Sequence, residues 1–230
     1  VFSICFQPLG VPRIPTAARF GLSGLAKTGL ALALLVFGAY VGLPDSSRWF
    51  DLALKIVELH LLLSGMFDSW TATYALLGYR LQHYFLNVYA SRTVRDFWFR
   101  YNRPVNQFYN KHIFKPVRAR WGAAAGVLAT FAFTAVIHEY IFVVAVPQLI
   151  GRQTLFFSMH AIAILVELQV GSYLRTQFSS RLPFWMSWAL TTLFLYFSLF
   201  PFMSCMDAVL DLHGDAGAWL LEMVRHFFVV

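Results

Sequence analysis

Five runs of this chain, residues 24–43, 52–78, 121–150, 155–174 and 184–206, are each long and apolar enough to cross a bilayer. A spanning helix needs about 20 predominantly apolar residues. Lipid offers no hydrogen-bond partners, so only helices and closed barrels cross it, and strand patterns are absent. The expected fold is therefore all-α, a polytopic transmembrane helical bundle of about five spans. Residues 218–230 are too short to span and read as interfacial. Pro44-Asp45-Ser46-Ser47 ends the first run as a turn.

Composition supports this reading. The 230 residues are 59% hydrophobic and 13% charged. Soluble chains carry roughly 45–50% apolar and about 25% charged residues. A formal charge of +7 would suggest nucleic acid on a soluble protein. Here the basic residues fall between apolar runs, so topology explains them and no nucleic acid is expected. With a cytoplasmic N-terminal segment, fourteen of the 18 Lys and Arg lie on the cytoplasmic side, against Arg48 and Arg152 opposite. That is a strong positive-inside bias. Cys5 and Cys205 have no metal-ligand spacing, so neither a disulfide framework nor a metal site is expected. Nothing in the first residues reads as a signal peptide.

The connection at 79–120 is long and interleaves aromatic with basic residues, with Asp96 as its one acid. It reads as cytoplasmic interfacial helices on anionic headgroups. The same surface suits a polyanion such as the phosphates of coenzyme A.

Ionisable residues inside spans are costly and face a bundle interior or a water cavity. Lys55 with Glu58, and His160 with Glu167, share helix faces and read as structural pairs. Asp68, near a helix end, reads as a cap or a partner of the aromatic segment. His138-Glu139 sits in the third run. A histidine there serves either as a hydrogen-bonded structural group or as a proton acceptor. It lacks the second histidine of a zinc protease, and no nucleophile-elbow, phosphate-loop or dinucleotide motif is present.

Phe97-Trp98-Phe99-Arg100-Tyr101-Asn102-Arg103-Pro104-Val105 resembles the FW…R-W-N-x-P-V signature of the membrane-bound O-acyltransferase family. About 35 residues on, His138-Glu139-Tyr140 resembles that family's F-F-H-E-Y segment. The likeness covers most of the chain but only the C-terminal portion of a typical member. It also implies one membrane-embedded catalytic domain over 1–230, belonging to a longer protein. Asn102, in place of His, resembles the diacylglycerol, sterol and wax-ester branch or a bacterial relative. The chain departs from that branch at Asn106, where its members often have His.

What the resemblance implies is fatty acyl transfer from acyl-CoA to a lipid hydroxyl, without a cofactor or metal. His138 would be the general base and Asn102 the amide that orients substrate or stabilises an oxyanion. Glu139, Tyr140 and Trp98 would support them, and Arg100, Arg103 and Lys111 would bind acyl-CoA. Expected partners are acyl-CoA, a hydroxyl acceptor and membrane lipids, with a homodimer left open. The expected location is a bacterial inner membrane or the endoplasmic reticulum. A transporter, or a scaffold without activity, is the competing reading.

Overall fold

The structure is a computed structural model that describes residues 6–8, 11–41, 48–177, 183–214 and five residues of the last segment. The proposed turn at 44–47, Cys5, Arg181 and most of 218–230 lie outside the described residues. The described chain is overwhelmingly helical. Four stretches, Ile14–Val41, Arg103–Ala145, Pro147–Gly171 and Phe184–Leu210, are long and apolar enough to cross a membrane. Less than a third of the apolar window of each stretch is buried. Val136, Ile141, Val144, Leu193 and Phe197 are among the outward apolar side chains. Apolar surface on this scale requires lipid or a partner. The fold thus defines a class, a multi-helix membrane protein.

Contacts divide the chain into two compact units, one of residues 1–83 with 206–230 and the other of 84–205. In the first unit, β1 (Phe6–Pro8) pairs antiparallel with β2 (Tyr79–Leu81). This three-residue ribbon corrects the expectation of no strands. It was invisible to pattern because three residues carry no alternation to read. Between its strands lie α1 (Ile14–Val41) and α2 (Arg48–Leu76). The two helices cross at Gly24 and Gly65. A Cβ on Gly24 would lie 2.9 Å from the Gly65 carbonyl oxygen, and one on Gly65 would lie 3.0 Å from the Gly24 oxygen. Small residues let helix backbones meet in this way.

Asp51, Lys55, Glu58 and Asp68 in α2 are engaged, with partners other than those expected. Lys55 pairs with Asp51 at 2.9 Å and Asp207 at 2.8 Å, not with Glu58. Glu58, with no exposed surface, binds His213 Nε2 at 2.9 Å, and Asp51 binds His213 Nδ1. Asp68 accepts from Lys27 Nζ at 2.6 Å and Ser23 Oγ at 2.7 Å, so it ties α2 to α1 and caps nothing.

The second unit begins with a 3₁₀ turn at Val88–Ala90 and two short helices, α3 (Val94–Arg100) and α4 (Arg103–Tyr109). A π turn, Asn110–Phe114, leads into α5 (Lys115–Ala145). Gly122, at φ 83°, breaks α5 near its start. A 3₁₀ turn, Pro147–Leu149, precedes α6 (Arg152–Gln177), and α7 (Phe184–Leu210) follows. The core gathers Val94, Val127, Ala161 and Ile164, with a neighbouring cluster of Ala135, Phe156 and Phe157. Trp98 packs against both clusters.

Candidate functional site

The site residues all lie in the second unit, and α3 is their hub. Thr93 caps it by accepting from Asp96 N at 2.9 Å. The Glu167 carboxylate of α6 accepts from Val94 N at 2.5 Å and Arg95 N at 3.1 Å. An anion on the free N–H groups of a helix start is favourable. Glu167 is therefore a clamp on the aromatic segment and not a partner of His160.

That clamp holds Trp98 against α5 and α6. Its ring lies 5.6 Å from Phe131, 6.0 Å from Phe157 and 5.4 Å from His160. Its indole N–H is buried and has no hydrogen-bond partner. Tyr101 stacks on Phe97 at 5.3 Å, and burial, aided by Tyr89, pushes its hydroxyl up to about 12. Asn102 follows in the left-handed conformation, φ 45°. Asn is among the few residues that adopt it readily. Its Oδ1 is buried and unpartnered. Asn106 Nδ2 donates to the Trp98 carbonyl at 3.1 Å, which closes the turn between α3 and α4.

His138 lies on α5 with its Nδ1 2.9 Å from the Thr134 carbonyl oxygen. A carbonyl only accepts, so Nδ1 carries the proton. Nε2 then bears a free lone pair, and no protein group is bonded to it among the described residues. The ring packs 4.7 Å from Phe157 and 6.3 Å from Phe202. His138 and Trp98 thus both pack against Phe157 in one aromatic cluster. His160, wholly buried there, donates Nδ1–H to Phe156 O at 2.9 Å and has Ser198 Oγ 3.4 Å from Nε2.

The supporting residues separate. Glu139 accepts from Gly151 N at 2.6 Å and from Thr154 N and Oγ1 at 2.7 Å each. It joins the end of α5 to the start of α6, which is an anchoring role. Tyr140 is 72% exposed and turns away from the cluster. Arg100 is occupied by Asp96 at 2.8 Å, with the Leu86 carbonyl 3.3 Å from its Nη1. Arg103 and Lys111 have no ion-pair partner among the described residues, and Lys111 is exposed.

One residue escaped the sequence reading. Gln153, in the first turn of α6, has no exposed surface, and neither amide atom has a partner. Its spacing from Phe156, Phe157 and His160 puts it on the face that meets Trp98 and His138. That spacing was readable, but burial without a partner was not. Among the described residues no group of His, Cys, Asp and Glu is arranged to hold a metal ion. A separate open cleft of about 890 Å³ lies between α3, α6 and α7, walled by Ile162, Val166, Leu190 and Phe194, with Arg92 and Arg95 on its lining. Neither His138 nor Asn102 lines it.

No protein-family model matches this chain, and no curated protein matches it.

Proposed function

We propose that this protein is a membrane-bound, acyl-CoA-dependent O-acyltransferase that esterifies a lipid hydroxyl. The observation that carries the reading is the tautomer of His138: Nδ1–H is spent on Thr134, and Nε2 is bare among aromatic rings. A neutral imidazole with an unpaired lone pair is what a general base requires. Two further buried polar atoms without partners among the described residues, Trp98 Nε1 and Asn102 Oδ1, lie in α3 and the turn that follows it. Buried polar groups are nearly always satisfied, so unsatisfied ones on the segment that reaches the Phe157 ring also packed by His138 suit a substrate.

In this reading His138 Nε2 takes the proton of the acceptor hydroxyl as its oxygen attacks the thioester carbonyl. The tetrahedral intermediate expels coenzyme A thiolate, which recovers the proton from the imidazolium. Positioning of both substrates and exclusion of water supply the remainder of the rate. Arg103 and Lys111, without an ion pair among the described residues, are cations for the coenzyme A phosphates, while Arg100 holds the local fold.

The count of five spans belongs to the same proposal. α2 fails a composition test because of its charges, yet it runs antiparallel beside α1 and each of Asp51, Lys55, Glu58 and Asp68 is paired. Paired charges are the kind a span tolerates. Five crossings put 79–120 on the cytoplasmic side, where acyl-CoA is made. The same pairing weighs against a transporter, since these groups bind one another and leave no chain of open sites.

The test is purified protein incubated with labelled palmitoyl-CoA and, in turn, dioleoylglycerol, cholesterol and hexadecanol, with free thiol and labelled ester measured. Thiol release with ester formation, lost in His138→Ala, supports the proposal. Absence of turnover with every acceptor, or full activity in His138→Ala, overturns it.

A further inference from the structure

We infer that Gln153 is a catalytic residue of the proposed acyl transfer, its amide N–H serving as the donor to the oxyanion that forms on the thioester carbonyl. This rests on the acyltransferase reading above. Gln153 is wholly buried, and both its Oε1 and Nε2 lack partners among the described residues. An amide in that state loses its hydrogen bonds to water and gains none, which folded proteins seldom accept without a use.

Three contacts bring it to the level of the base. Thr154, its chain neighbour, binds Glu139 through both N and Oγ1, and Glu139 follows His138 directly. Phe157, one turn along the same face of α6, packs on the His138 ring at 4.7 Å. Phe156 on that face lies 6.2 Å from the Trp98 ring. A helix turn rises about 5.4 Å. Gln153 is therefore held on α6 at the level of the α5 turn that carries His138, one helical turn before Phe157.

The chemistry needs a donor of this type. When the acceptor oxygen bonds to the thioester carbon, the carbonyl π pair moves to oxygen and the acceptor proton goes to His138 Nε2. The C–S bond then breaks, and the thiolate leaves with that proton. A neutral amide N–H stabilises the intermediate oxyanion without placing a permanent charge in apolar surroundings. The same oxyanion forms whether a lipid alcohol or water attacks, so an oxyanion donor serves both reactions. A group that only orients the acceptor serves the first alone.

The experiment compares wild type with Gln153→Leu and Gln153→Glu in detergent. It measures ester formation from palmitoyl-CoA and hexadecanol, slow thioester hydrolysis without alcohol, and the thermal midpoint. Both variants should lose about 10²-fold in kcat for ester formation and for hydrolysis alike. The KM for palmitoyl-CoA should stay within about threefold, and Gln153→Leu should unfold at the wild-type temperature or above it, since it removes an unpaired polar group. Ester formation within twofold of wild type in Gln153→Leu overturns the inference. So does loss of ester formation with hydrolysis intact. A variant that unfolds earlier, with kcat restored on cooling below its transition, assigns Gln153 to packing and overturns it too. If the wild-type protein releases no thiol at all, the acyltransferase reading fails and takes this inference with it.

Discussion

The ring of His138 lies 4.7 Å from that of Phe157, tilted by 55°, while its Nδ1 is anchored to Thr134 one turn back on the same helix. One contact comes from α5 and the other from α6, so the direction of Nε2 depends on the packing of two spans. Phe157→Leu keeps an apolar side chain but frees the imidazole to rotate. Misplacing a reacting group by about 1 Å costs on the order of 10²-fold in rate. Ester formation in this variant should fall by roughly that factor. The thermal midpoint should also fall, because Phe157 is 2% exposed and its loss opens a cavity. Unchanged kcat would separate His138 orientation from Phe157.

Asn102 combines two properties that substitution can separate: a left-handed backbone and an amide with a buried free oxygen. Asn102→Gly keeps the backbone and removes the amide, so it should fold normally and lose activity. Asn102→Ala removes the amide and leaves a Cβ in the left-handed conformation without the short polar side chain that eases it there, at a cost of up to about 1–2 kcal/mol. It should therefore lose activity and unfold earlier. Circular dichroism melts beside thiol-release rates check both. Equal activity of Asn102→Gly and wild type would leave Asn102 with a backbone role alone.

Glu167 bonds two backbone N–H groups of α3 across 73 and 72 residues of chain. Glu167→Gln offers one acceptor oxygen and no charge, so one donor is left without its partner. The expected loss is roughly 1–3 kcal/mol for that group. It should register as faster proteolytic cleavage within 84–101, with the cleavage rate of the 6–83 region unchanged. Activity should fall with the clamp, because Trp98 lies in α3 and Asn102 follows just after it.

The first unit should depend on pH through His213. Burial opposes charge on this imidazole, but hydrogen bonds to Glu58 and then Asp51 outweigh it and raise its pKa above the ordinary value near 6.5. A group raised on folding contributes its full stability below the unfolded pKa. That contribution fades as pH climbs through the raised folded value. Lys55 and Asp207 complete the network, paired at 2.8 Å. The thermal midpoint should fall as pH rises above the ordinary histidine value near 6.5 in wild type, and His213→Gln should flatten this part of the profile. Removing one partner of a buried ion pair costs about 3–5 kcal/mol, so the variant should also be less stable at pH 6. A profile that keeps its slope in His213→Gln would place the titration elsewhere.

The sequence alone determined that this is a helical membrane protein, because hydropathy is a local sum and needs no knowledge of partners. It also marked the aromatic segment and the histidine at 138, since both stand out against their immediate neighbours. The tertiary structure decided who pairs with whom. His213 reaches Asp51 and Glu58 across 162 and 155 residues, Glu167 leaves His160 for α3, and Glu139 turns to the start of α6. A carboxylate accepts from any donor that packing delivers, so helical spacing suggested neighbours but could not choose between a pair on one face and a pair across two helices. Gln153 shows the same limit: an amide in a sequence is ordinary, and only three-dimensional packing leaves it buried without a partner.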